Sequence, residues 1–166
     1  MSPQQDARVI ADHLLADFQH EMATTLKVFE AVPETGLTYR PDPVSKSALG
    51  LLRHITLEDE WLLNAIADGA FVPPPDDSDA CGIMNAADAI ARYQEKVPAA
   101  LNRVRGLPDD HLVRELDMFG IYKAPALQFL AMTLKHSVHH RGQLSAYLRA
   151  AGGKVPGIYG PSADTK

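Results

Sequence analysis

Proline and glycine divide this chain into four long segments, and within each segment apolar residues recur at the spacing of an α-helix. The segments cover about residues 4–32, 45–70, 85–105 and 125–152. The sequence between them carries turn residues rather than the alternating pattern of strands. Four amphipathic helices with mostly short connections predict an all-α fold, an antiparallel four-helix bundle with room for one longer crossover, in a single domain over residues 1–166.

Several residues mark where these helices begin and end. Ser45 or Ser47 is the expected N-cap of the second helix. The fourth helix should start near Pro125, which suits a first turn, and end at Gly152–Gly153. Pro98 lies inside the third helix and should kink or shorten it.

Three stretches lie outside the helical pattern. Consecutive prolines exclude regular structure from residues 71–82, FVPPPDDSDACG, which therefore form a linker. Residues 106–124 are consistent with a short helical turn and an extended piece. The tail from residue 153 contains too much glycine and proline for a helix, and it either folds back over the bundle or stays mobile.

Composition limits the possible functions. A chain of 166 residues buries enough surface to fold without a stapling metal, so a metal here would serve function rather than folding. The net charge of -5, with no run of Lys or Arg, argues against nucleic acid as a partner. The single cysteine, Cys81, excludes an internal disulfide and a cysteine-based zinc cluster. The absence of a targeting segment or a long apolar run predicts a cytoplasmic protein without a membrane partner.

Three of the seven histidines fall within LKHSVHHRGQLSAY, residues 134–147. On a helix, His136 and His140 point the same way and could chelate one cation, whereas His139 lies nearer the flank. The alternative is that both are histidines at the edge of the core, bonded to backbone or water. Ser137 occupies the position where a His-Glu-x-x-His peptidase keeps its general base, which excludes that activity. The chain also has no paired Glu-x-x-His motifs, so a di-iron site is excluded.

The second helix, GLLRHITLEDEWLLNAI, contains another histidine and an unexpected carboxylate. His54 lies at the margin of the apolar stripe, and Glu58, one turn later, falls within it. A carboxylate on a buried face is costly unless a cation or a metal-bound imidazole pairs with it. The alternatives are that Glu58 reaches water at the helix edge or pairs with Arg141.

The other histidines carry no such pattern. His13 and His20 lie opposite the apolar face of the first helix and should face solvent. His111, in PDDHL, is most simply a residue of a loop or turn.

Two segments, LLRHITLEDEWLL and HSVHHRGQLSAYLRAAG, resemble the DinB/YfiT-like superfamily. The resemblance covers nearly the whole chain in helix order and spacing, although only these two segments are specific. It implies a four-helix bundle, often a homodimer, that holds one divalent metal, commonly zinc or nickel, through three histidines. The superfamily includes thiol-dependent enzymes, among them maleylpyruvate isomerases and transferases that use bacillithiol or mycothiol.

Carried onto this sequence, the resemblance implies His54, His136 and His140 as metal ligands. His139 matches a variable position and should not bind. Gln143 matches the glutamine of the closing motif, so it is expected to support a ligand or form the pocket wall.

Three imidazoles leave a divalent ion with open positions, where water could be activated for hydrolysis or a thiol could bind as thiolate. The sequence therefore predicts a metal-dependent enzyme that transfers a thiol to a small electrophilic substrate, or carries out a related hydrolysis. Because Cys81 lies in the linker, the thiol should be an external low-molecular-weight one. Glu58 is the candidate catalytic residue, orienting His54 or accepting a proton. The alternative is a non-catalytic, stress-related metal-binding bundle, whose site a fourth protein ligand would close.

Overall fold

Four long helices make up most of the structure, a computed structural model that describes residues 2–165. They confirm the predicted all-α four-helix bundle. In chain order the elements are α1 (Pro3–Glu30), α2 (Ala48–Asp68), α3 (Ala86–Arg105), the short α4 (Asp109–Val113), β1 (Glu115–Met118), β2 (Tyr122–Pro125) and α5 (Ala126–Tyr147).

The helices are not arranged in simple chain order around the bundle. Both α1 and α2 pack mainly against α3 and α5, so these two consecutive helices lie at opposite corners. Residues 31–47, which join them, are therefore the longer crossover that the sequence allowed. The arrangement makes α2 a direct neighbour of α5, and these are the two helices that carry the histidine segments.

Local sequence explains where the helices begin and end. Ser47 caps α2 by accepting a hydrogen bond from the Gly50 backbone N–H at 3.1 Å, and Gly69 ends the helix in the left-handed region with φ of 72°. Pro98 lies inside α3 without shortening it, because the helix continues to Arg105.

The core is mainly aliphatic and contains a few aromatic side chains. Phe29 of α1 and Tyr93 of α3 pack edge to face, with ring centroids 5.5 Å apart, and both are fully buried. On the opposite face of α1, His13 and His20 are exposed, as predicted. No helix within residues 2–165 has both the length and the apolar character needed to cross a membrane.

Residues 106–125 hold a short helix and an antiparallel hairpin, consistent with the helical turn and extended piece predicted there. Phe119 and Gly120 both have positive φ, 57° and 73°, in the three-residue loop that joins the strands, where the Ile121 N–H donates to the Met118 carbonyl oxygen at 3.0 Å. His111 belongs to α4 rather than to the loop or turn predicted for it. It connects α4 to α2, because its Nε2 lies 2.9 Å from the carbonyl oxygen of Ile66.

The last helix is shorter than predicted, because α5 ends at Tyr147 instead of Gly152–Gly153. The chain then forms turns, and Gly152 adopts a φ of 92°. The tail folds back over the bundle, which was one of the two predicted alternatives. Arg141 donates a hydrogen bond to the Tyr159 hydroxyl at 2.6 Å, and Arg149 forms an ion pair with Asp164 at 3.0 Å.

Candidate metal site

The structure brings the three predicted ligands together. His54 reaches from α2 to His136 and His140 on α5, and one ring nitrogen from each histidine lies within 4.8 Å of the other two. His54 Nε2 and His140 Nε2 lie 3.1 Å apart. Ring centroids are separated by 4.3 to 5.0 Å. Three imidazoles from two helices therefore converge on one point.

Helix periodicity places the cluster at the margin of the core. His136 and His140 are one turn apart on the same face of α5, and the buried Thr133 and Leu144 continue that face into the interior. On α2, His54 precedes the fully buried Ile55 and is itself half-buried. The site is thus enclosed by apolar residues on one side and accessible on the other.

Burial keeps the three imidazoles neutral. Desolvation, followed by the nearby His140, lowers the pKa of His54 to about 4. The same two causes lower the pKa of His136 to about 3, and burial also lowers the pKa of His140. At neutral pH all three rings are uncharged, which is the form that binds a metal.

Hydrogen bonds at the cluster fit a divalent ion. His140 Nδ1 lies 2.7 Å from Gln143 Oε1, and because an amide oxygen only accepts, Nδ1 must carry the hydrogen and Nε2 the lone pair. His136 Nδ1 is buried and has no hydrogen-bond partner within residues 2–165, and coordination through this nitrogen would relieve the cost of a buried polar atom. Two nitrogens at ~2.0–2.1 Å from a tetrahedral ion would be about 3.4 Å apart, close to the observed 3.1 Å.

Glu58 lies one turn after His54 and is half-buried. Desolvation raises the pKa of its carboxyl group, and the positive charge of Lys46 opposes that shift. The suggested pairing of Glu58 with Arg141 is wrong. Arg141 is buried on another face of α5, where it forms an ion pair with Glu21 of α1.

His139 lies outside the group of three. It is exposed, and it lines a pocket of about 430 Å³ beside His136, with Tyr122 and Met132 on the walls. A smaller pocket of about 180 Å³ lies beside His140 and is lined in part by Gln143, which agrees with a place in the pocket wall. A small molecule could thus approach the cluster from either side.

The proline-rich linker, residues 71–82, is held beside the site by hydrogen bonds and an ion pair. The buried Arg53, directly before His54, donates to the carbonyl oxygen of Ile83 and to Asp79 Oδ1, both at 2.7 Å. Lys46, in the wall of the smaller pocket, forms an ion pair with Asp77 at 2.6 Å. The linker therefore has a defined position at the entrance.

Sequence reasoning missed Asp59, the most buried acid near the site. It has no exposed surface, and its Oδ2 accepts hydrogen bonds from Ser137 Oγ at 2.7 Å and from Tyr93 OH at 3.0 Å. Helical spacing could have predicted that Asp59 is buried, because it lies four residues after Ile55 and seven before Ile66, both fully buried. Glu58, which the sequence placed in the stripe, lies at its edge instead.

Family comparison agrees with this architecture. The chain belongs to the DinB family, whose sequence model matches residues 1–165. Two relatives come from Bacillus subtilis. The uncharacterized protein YrdA is 27% identical over 155 residues, covering 92% of this chain and 90% of the relative. The uncharacterized protein YjoA is 25% identical over 145 residues, covering 86% and 91%.

Solved structures share the fold. A DinB-like protein from Bacillus cereus ATCC 10987 superposes with a TM-score of 0.75 at 23% identity, covering 89% of this chain and 97% of the other. YfiT from Bacillus subtilis superposes with a TM-score of 0.71 at 14% identity, covering 93% and 91%. YfiT is described as a probable metal-dependent hydrolase with an unusual four-helix bundle topology.

Proposed function

We propose that this protein is a divalent-metal-dependent enzyme that binds zinc or nickel through His54, His136 and His140. The observation that carries the proposal is the convergence of three neutral ring nitrogens, from two helices, within 4.8 Å of one another. Imidazole nitrogens suit both metals, and three of them leave positions for water or substrate. The description of YfiT as a probable metal-dependent hydrolase supports a catalytic rather than a storage role.

The reaction that we propose is transfer of an external low-molecular-weight thiol to a small electrophile, with related hydrolysis as the neighbouring chemistry. A divalent ion supplies Lewis acidity, which lowers the pKa of a coordinated thiol or water. In the transfer, the thiol sulfur forms a bond to the electrophilic carbon. The leaving group departs with the electron pair of the bond that breaks, and the thiol proton passes to a base.

Residues around the cluster have separate tasks in this scheme. Gln143 accepts the hydrogen of His140 Nδ1 and so fixes the tautomer that presents Nε2. Glu58 is the base that we propose, because its half-buried carboxyl group has a raised pKa and lies on the same face as His54. The pocket of about 430 Å³ beside His136 has room for a small substrate.

Metal analysis tests the first part of the proposal. Protein purified without an affinity tag should carry about one equivalent of divalent metal per chain, and His136→Ala should carry much less. His139→Ala, on the same helix and exposed, is the matched control and should keep the metal. Equal and negligible metal in the wild type and in His136→Ala would refute the site.

A thiol panel tests the reaction. The metal-loaded protein is incubated with an electrophile such as 1-chloro-2,4-dinitrobenzene, alone and with cysteine, glutathione or other small thiols. Transfer predicts thioether product only with a thiol and loss of turnover in His136→Ala. Equal consumption of the electrophile without thiol favours hydrolysis, and metal binding without turnover of either kind favours the non-catalytic bundle.

A further inference from the structure

Asp59 is fully buried, but an apolar residue in its place could supply nearly all of its packing. Burying an acid is costly, and replacing buried ionic groups by apolar ones of similar volume is often neutral or stabilising. Asp59 is instead held by two hydrogen bonds, from Ser137 at 2.7 Å and from Tyr93 at 3.0 Å. Both donors are themselves buried. The other carboxyl oxygen of Asp59, Oδ1, is buried without a hydrogen-bond partner within residues 2–165. A buried polar cluster kept at this cost indicates a requirement for one particular arrangement of helices.

The Asp59–Ser137 hydrogen bond joins the two helices that carry the histidines. Asp59 follows His54 by five residues on α2, and Ser137 lies between His136 and His140 on α5. Within residues 2–165, the only other side-chain hydrogen bond between α2 and α5 is the contact of His54 with His140. Those two rings are assigned to the metal, so Asp59–Ser137 is the link that does not depend on an ion.

We propose that Asp59 and Ser137 are positioning residues whose buried hydrogen bond sets the register of α2 against α5 and thereby the spacing of the three histidines. This inference rests on the metal site proposed above. One residue of helical slip displaces a side chain by ~1.5 Å along the axis and by ~100° around it. Metal–ligand distances tolerate only about 0.2 Å, so a cluster shared between two helices needs an independent link to keep its geometry.

The Tyr93 hydroxyl offers an internal comparison. It also donates to Asp59 Oδ2, but it ties α2 to α3, which carries no histidine of the site. Loss of either donor removes a buried hydrogen bond to the same oxygen. A purely structural role predicts the same consequence for both losses, whereas a positioning role predicts that only the loss of Ser137 changes metal coordination.

The test is Co²⁺ binding to the wild type and to Ser137→Ala, Tyr93→Phe, Ser145→Ala and Asp59→Asn. Ser145 is a second buried serine of α5, so Ser145→Ala controls for the loss of a hydroxyl. Asp59→Asn keeps an oxygen that can accept from Ser137. The measurements are the dissociation constant for Co²⁺, the visible absorption bands of the bound ion, and the urea-unfolding free energy of the metal-free protein.

We expect Ser137→Ala to weaken Co²⁺ binding by about 10–100-fold and to change the absorption bands, the usual effect of losing support for a ligand. Tyr93→Phe and Ser145→Ala should keep the wild-type bands and affinity even where they lower stability, and Asp59→Asn should stay close to the wild type. Unchanged binding in Ser137→Ala, or equal losses in Ser137→Ala and Tyr93→Phe, would overturn the positioning role alone. A wild type that binds no Co²⁺ would instead refute the metal site itself.

Discussion

The histidine cluster and the Asp59 cluster are neighbours on the same two helices, but they have opposite character. His54, His136 and His140 are half-buried, and His136 and His140 each line a pocket. Asp59 and Ser137 are sealed in the core and bonded to each other. One cluster can exchange ligands with solvent, whereas the other has no access to it.

The difference assigns metal chemistry and the positioning of the helices to different residues. Groups that bind a metal and a substrate must leave coordination positions free, so they cannot also be relied on to hold the helices in place. A buried hydrogen bond between side chains with few rotamers can hold the helices without contacting the substrate. Substitutions can alter the open cluster, which consists of His54, His136 and His140, the closed cluster, which consists of Asp59 and Ser137, or neither.

The largest expected effect comes from removing His54, the one proposed ligand on α2. His54→Ala should lower metal affinity by more than ~100-fold, because losing an outer hydrogen bond alone costs ~10–100-fold and a ligand contributes more. Isothermal titration with Zn²⁺ measures the change, with His13→Ala on the solvent face of α1 as control. Wild-type affinity in His54→Ala would mean that the two histidines of α5 bind without α2, and the open cluster would not be a three-residue site.

The closed cluster should make the free energy of unfolding depend on pH. Burial raises the pKa of Asp59 to about 7 from an ordinary value of 3.8, despite the hydrogen bonds from Ser137 and Tyr93 that lower it. The folded state therefore holds the proton more tightly than the unfolded state. The contribution of Asp59 to the free energy of unfolding is fully present below pH ~4 and declines as pH rises towards 7.

Asp59→Asn removes this titration. Both proteins are compared without metal. Relative to Asp59→Asn, the wild type should lose at most about 1.4 kcal/mol of unfolding free energy per pH unit between pH 5 and 7, and the difference should then level off. Urea unfolding at four pH values measures it, and the histidines cancel because both proteins contain them. Glu58 raises the pKa of Asp59 and Arg141 lowers it, but neither is changed by the substitution. A pH-independent difference would contradict the raised pKa.

The sequence predicted the local features well and the relations between helices poorly. Four-residue spacing alone put His136 and His140 on one face, as the structure shows. His54 was noticed at the margin of its apolar stripe, but only the resemblance to a family made it a ligand, because periodicity within α2 does not reveal which helix lies beside it. The diagonal placement of α1 and α2 depends on how all four helices pack, and no single segment encodes that.

The acids of α2 show a second limit. Glu58, Asp59 and Glu60 are consecutive, so a small error in the phase of the helix decides which one appears buried. The sequence interpretation placed Glu58 in the stripe, whereas the fully buried residue is Asp59. The end of α5 was misplaced because helix-like turns continue beyond Tyr147, where the Ala151 N–H donates to the Tyr147 carbonyl oxygen at 2.9 Å.

A smaller effect is expected at the border of the open cluster. Gln143→Ala removes the acceptor for His140 Nδ1–H and should weaken Zn²⁺ binding by about tenfold, the lower end of the usual range, because Gln143 is exposed and water can replace its oxygen. Gln128→Ala, another exposed glutamine of α5, is the control and should bind as the wild type. Equal affinities would show that solvent alone fixes the tautomer of His140.

The smallest expected effect is at Cys81, and it bears on which sulfur reacts. Cys81 is half-buried in a segment that Arg53 fastens to α2, and it is not part of the group of potential ligands. Cys81→Ser should change the unfolding free energy by only about 1 kcal/mol, because Cys81 is partly buried. The dependence of electrophile consumption on added thiol, measured for both proteins, should also be unchanged. Loss of activity in Cys81→Ser with thiol present would instead identify a nucleophile within the chain, and the open cluster would then activate the substrate rather than an external thiol.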